Sequence, residues 1–254
     1  MEAKKKFCLS DETKTLDDFT VLHRLVALDG FGDVNKGDKG GWVEKESNLS
    51  QKGLCWVYDE AMVYGGVVVK DNAMVCEHAI VHSDDEAMTP AIVIRDNAVV
   101  AGHAKVVGEA TIFNNAVVCG HAVVRHGPCV FESSRVGGNA KLSGHCLVYG
   151  SADIGGDAVI TGFASVHGRA NVTGRAKVMD DVELFGSATV KGDIVLSRWL
   201  RVFGEVQNPL VLDGKGNLSE RNAGSFLYKQ EKADKVLEKI RKNEKSVSRD
   251  GNSL

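Results

Sequence analysis

Asp96-Asn97-Ala98-Val99-Val100-Ala101, followed by Gly102-His103-Ala104-Lys105-Val106-Val107, opens a stretch that runs to Phe203 and divides without remainder into 18 six-residue units. The third residue of each unit is mostly alanine: Ala98, Ala104, Ala110, Ala116, Ala122, Ala140, Ala152, Ala158, Ala164, Ala170, Ala176 and Ala188. The fifth is aliphatic in all 18, from Val100 and Ile112 to Leu142 and Val202. The first is most often glycine, as in Gly102, Gly138, Gly150 and Gly174. A period of two inside a unit means strand, because alternate side chains point to opposite faces. The third and fifth residues point inward, the fourth and sixth outward. The first and second form a corner, where glycine accepts backbone angles that other residues resist. Three short strands and three corners make one coil, so the sequence predicts an all-β, triangular parallel β-helix.

Composition narrows the rest. The chain has 254 residues and a formal charge of −3, which gives no basic footprint for nucleic acid. No apolar run approaches the 18 residues of a membrane span. The basic start Met1-Glu2-Ala3-Lys4-Lys5-Lys6 has no apolar stretch after it and does not read as a signal peptide. The six cysteines form no C-x-x-C pair, and Cys55 and Cys146 take inward alanine places. Reduced thiols in a cytoplasmic protein, without disulfide framework or zinc, are the expectation.

Taken in order, residues 1–41 precede the repeat, and an open solenoid end needs a cap, the role expected of them. Residues 42–206 form the solenoid. Its phase breaks at an insertion over residues 83–89, Ser83 to Thr89, whose Asp84, Asp85 and Glu86 are a solvated loop or a binding loop. Residues 207–254 form a C-terminal extension. Within it Gly214-Lys215-Gly216-Asn217 reads as a turn. Phe226, Ala233, Leu237 and Ile240 fall on one face of a helix over about 225–243, which caps its own chain or a neighbour, before a disordered tail.

Lys36-Gly37-Asp38-Lys39-Gly40-Gly41-Trp42-Val43-Glu44-Lys45-Glu46-Ser47-Asn48-Leu49-Ser50, then Cys55-Trp56-Val57-Tyr58-Asp59-Glu60-Ala61 ahead of the Gly-x-Ala-x-Val-x units, resembles the YdcK-like hexapeptide-repeat proteins. The resemblance covers residues 20–205 or so. Such proteins occur in bacteria and very often in bacteriophages and prophages. The resemblance implies a left-handed β-helix and an acyltransferase label, with no set of catalytic residues to carry across. One departure weakens that label. In the common transferase hexapeptide a small or acidic residue directly follows the aliphatic one, whereas here glycine comes two after it, as in Val106-Val107-Gly108.

Residues 18 apart stack in the regular region, and 25 apart across the insertion. His121 therefore lies over His103, and His103 over His78, with Glu60 below and Asn139, Asp157, Arg175 and Asp193 above. A second edge carries Glu109, His126 and His145. The plain reading of the histidines is turn residues facing water. Under the acyltransferase alternative, coenzyme A is the cofactor, and His121, His103 or His145 is the general base in a cleft between subunits. As a binding ladder, His78, His103, His121 and Asn139 take an anionic ligand; a linear array converges poorly on a metal, and no metal is expected. Trp199 falls at a corner, where an exposed indole marks an interface.

Two functions compete. One is a non-catalytic recognition or scaffold solenoid that binds a host protein or small ligand, extended by the phage resemblance to a host-directed, anti-defence factor. The other is a hexapeptide acyltransferase. A homo-oligomer, favoured as a trimer, is expected, with no nucleic-acid or membrane partner.

Overall fold

A chain that buries its third and fifth residues must bend at each first and second residue to enclose them. The structure, a computed structural model, describes residues 5–83, 91–205 and 210–219. It is a parallel β-solenoid of about nine turns with almost no helix. The helix expected over 225–243, the tail after it and the acidic part of the insertion lie outside the described residues.

Three flat faces run the length of the solenoid. The first contains Ile80–Ser83, Lys105–Val107, Val123–Arg125, Lys141–Ser143, Val159–Ile160 and Lys177–Val178. The second runs from Val67–Val69 through Ala110–Ile112 and Leu147–Val148 to Arg201–Gly204. The third runs from Trp56–Val57 through Val99–Val100 and Arg135–Val136 to Asn171–Val172. Register is uniform: Val100 pairs with Val118, which pairs with Val136, then Ile154, Val172 and Val190. Across the insertion Val81 still pairs with Val106. Every aliphatic fifth-place side chain from Val100 to Leu196 is fully buried, and the alanines beside the corners with them. Each buried valine, leucine or isoleucine contributes about 1.5–3 kcal/mol.

The corners explain the glycines. Gly138 has φ +62°, and a Cβ there would stand 2.8 Å from both the backbone nitrogen and oxygen of Gly156 in the next coil. Where aspartate or asparagine takes the same left-handed conformation, its side chain accepts the backbone N–H one coil on. Asp96 accepts from Asn114 at 3.0 Å, Asp59 from Glu77 at 3.0 Å and Asp180 from Arg198 at 2.9 Å. The local hydrogen bond offsets the strain of a positive φ.

At the N-terminal end, β1 (Phe7–Thr15) and β2 (Val21–Ala27) pair antiparallel, and β2 pairs antiparallel with β3 (Lys39–Val43). β3 then pairs in parallel with Met62-Val63 and so starts the first face. Phe7, Leu25, Phe31 and Trp56 close the core, with Trp56 edge-on to both phenylalanines. Lys6 supplies the polar plug. Its buried ammonium donates to the carbonyls of Cys55 at 2.8 Å and Gly53 at 3.3 Å, corner groups with no coil beneath them. Burial pulls the Lys6 pKa down and pushes the Cys55 thiol up.

The C-terminal end departs from expectation. The strand Thr189–Ser197 runs unbroken past a corner, pairing with Asn171-Val172 at one end and Lys177-Val178 at the other. Val211–Ser219 pairs with it in parallel along its full length, so the solenoid continues beyond residue 206. Gly214-Lys215-Gly216-Asn217 is therefore strand rather than turn. Its glycines follow the template of Gly192 to Val195, whose backbone offers a complete ladder.

Neighbouring glycines test the corner constraint. Gly156→Val, at φ +61° beneath Gly174, should lower the unfolding free energy by roughly 3 kcal/mol in urea titration. Gly155→Ala should change it by less than about 0.5 kcal/mol, because its nearest contact is an ordinary 3.7 Å to Thr173. Equal losses in the two variants would refute the close-approach account.

Candidate functional site

Stacking turns single corner residues into rows. On the corner leading into the first face, His78 and His103 stack with centroids 5.0 Å apart and planes 8° apart. His103 and His121 repeat this at 5.0 Å and 5°. All three imidazoles are exposed. The row continues as the stacking arithmetic requires. Asn139 donates to Asp157 at 2.9 Å, and Arg175 makes two charge-assisted hydrogen bonds to Asp193. Those bonds hold the Asp193 carboxyl below its ordinary pKa. Below His78, Glu60 accepts from the Trp42 indole at 2.9 Å and from Arg24 at 3.0 Å, which lowers its pKa in turn.

The other residues singled out in the sequence do not join this row. His145 sits on the next corner, stacked on Phe163 at 5.7 Å and packed above Gly127. Its neighbour His126 is exposed at φ +63°. Trp199 lies at that same corner near the last coil and is 73% exposed. Asp84, Asp85 and Glu86 fall outside the described residues.

A third row escaped the sequence reading. At the corner after the second face, Phe113, Phe131, Tyr149, His167, Phe185 and Phe203 form one continuous stack with centroid spacings of 4.9, 4.8, 4.6, 5.4 and 4.9 Å. The Arg95 guanidinium lies 4.3 Å over Phe113 and closes the lower end. These are the sixth residues of their units, and reading them 18 apart would have revealed the column. His167 Nε2 is 3.2 Å from Glu183 Oε1, and Arg201 binds the other carboxylate oxygen. Burial raises the Glu183 pKa, but the hydrogen bonds from Arg201 and His167 outweigh it and the net shift is downward.

This arrangement bounds the chemistry. A general base works best when a second group orients its imidazole. His167 has a carboxylate on a ring nitrogen, but both its faces are covered by Tyr149 and Phe185. No group of three or more His, Cys, Asp or Glu side chains converges to hold a metal among the described residues. An open recess of about 510 Å³ lies at the N-terminal end of the second face, lined by Glu46, Ser47, Leu49, Ser50, Gln51, Val68 and Lys70. No histidine lines it.

The two stacked rows should differ in stability. Phe131→Ala removes a ring from between two partners and should lower the Tm by about 5 °C. His103→Ala, on an exposed edge, should lower it by less than about 2 °C. Thermal melts of both variants beside the parent check this, and a larger loss for His103→Ala would make the histidine row structural.

No family model matches the chain. A curated protein of Escherichia coli (strain K12), described as uncharacterized acetyltransferase YdcK, is 35% identical over 79 residues. The match covers 28% of this chain and 24% of that protein, so the chain corresponds to about a quarter of the relative's length. No helix among the described residues is long and apolar enough to cross a membrane. The short match and the solenoid together fit the hexapeptide-repeat proteins.

Proposed function

We propose that the chain is a non-catalytic recognition solenoid, a rigid scaffold that presents rows of outward side chains to a protein or small ligand. One observation carries this reading. The exposed imidazoles of His78, His103 and His121 spend their faces on one another, and none is oriented by a carboxylate among the described residues. Rows on flat faces suit recognition, because a solenoid holds its side chains at fixed intervals over a long surface. A homo-oligomer, a trimer in the simplest case, and a host-directed role for a phage-encoded factor fit within this reading.

The similarity to a curated acetyltransferase favours a second reading, an acyltransferase that uses coenzyme A. In that case a neighbouring subunit completes a cleft beside His103, His121 or His145. His167 enters the candidates as an imidazole with an orienting carboxylate.

Acetyl coenzyme A separates the two. Native mass spectrometry and thiol-release assays on the purified protein should detect no saturable retention of acetyl coenzyme A and no release of coenzyme A with amine acceptors. Retention or turnover that disappears in His121→Ala, His103→Ala or His167→Ala would overturn the recognition reading.

A further inference from the structure

The first face carries a charge pattern that the overall −3 conceals. Lys105, Val123, Lys141, Val159, Lys177 and Val195 are successive neighbours up one outward column. Arg125 stands in the adjacent column between Val107 and Ser143. The three lysines and Arg125 are all exposed, and among the described residues none of them forms an ion pair. Three cations near this face are already matched: Arg175 by Asp193, Lys191 by Asp213 and Arg201 by Glu183. From Lys105 upward, neither outward column of the first-face strands contains a carboxylate up to Val178. Exposed imidazoles flank the patch, His103 and His121 on one side and His126 and His145 on the other.

We propose that this face docks an acidic amphipathic helix of a protein partner, laid along the solenoid axis. The inference rests on the recognition reading and names its partner class. Coil spacing selects the helix. Successive lysines are two coils apart, roughly 9.6 Å at about 4.8 Å per coil. Two helical turns rise about 10.8 Å, so carboxylates at i and i+7 meet alternate coils. Apolar residues at i+3 and i+4 then meet the valines between. A strand fits worse, since its same-face residues repeat at about 6.7 Å. Purely ionic polymers leave the valines unused. Single-stranded nucleic acid stacks its bases on aromatic rings, and the column has none. Among the described residues no flat face carries a matching row of carboxylates, so the described faces of a second copy do not supply the charge.

The test uses the full chain and a fluorescein-labelled, alanine-rich helical peptide with glutamate every seven residues and leucine midway between. Fluorescence anisotropy should show saturable binding that weakens as salt rises. Lys105→Glu/Lys141→Glu should weaken it at least about tenfold. Lys36→Glu/Lys52→Glu, which changes net charge equally on exposed residues of the cap and the first coil, should leave it unchanged. Replacing the peptide's leucines by serine should also weaken it. No peptide binding, or equal loss in the two double variants, overturns the proposal. So does tighter binding of polyphosphate, oligothymidylate or phosphatidylserine vesicles. Acetyl coenzyme A turnover is scored on the same preparation. Turnover would sink the recognition reading itself, whereas silence in both assays would sink only the partner class.

Discussion

Each coil is held by the backbone of the next. Lys105 donates its N–H to Ala122 at 2.8 Å, Val99 to Ala116 at 2.9 Å and Cys129 to Cys146 at 3.0 Å, one hydrogen bond on each face. No coil has a core of its own. Alanine and valine from a single turn bury their surface only against the turns above and below. Everything else follows from keeping that ladder in register. Corners need left-handed backbone, columns of glycine need room for one another, and the two ends need special closure. The ends differ: a buried lysine and antiparallel strands at one and, among the described residues, a long strand pair whose ladder continues through its corner at the other.

Register also decides the surface. Whatever stands outward in one coil stands beneath its counterpart about 4.8 Å away. Rings tolerate this well, as the phenylalanine and histidine rows show, and amides bond along the row, as in Asn72 to Asn97 to Asn115. Like charges at that distance repel, and acids stack at corners where one accepts the backbone N–H of the next, as Asp59 does from Glu77. The chain answers in two ways. It alternates sign, as in Arg135 with Asp153 and Arg175 with Asp193. On the first face it alternates lysine with valine instead, which avoids repulsion without neutralising the charge.

The parts legible in the sequence are those that depend on counting. Hexad phase placed Ala98 and Val100 inside, and an offset of 18, or 25 across the insertion, placed His78 beneath His103. The aromatic column was harder to see, because Arg95, Phe113, Tyr149 and His167 share a position but not a chemistry. Only the coil period joins them. Val211–Ser219 was illegible for another reason. Its glycines have turn composition, and the strand Thr189–Ser197 that ladders them through the corner lies 22 positions earlier in register. The cation face needed both halves of the calculation: which residues point outward, and which lysines lack a carboxylate within reach.

The interrupted corner has a consequence for how such a chain tolerates change. Ile80 meets Lys105 and Val81 meets Val106, although seven more residues separate them than separate Lys105 from Val123. Face length is fixed by the ladder, while corner length is not. A corner is thus a port through which chain can leave and return without the stack registering the detour. The same scaffold could host foreign peptide there, displayed on a rigid prism, while the faces on either side kept their spacing.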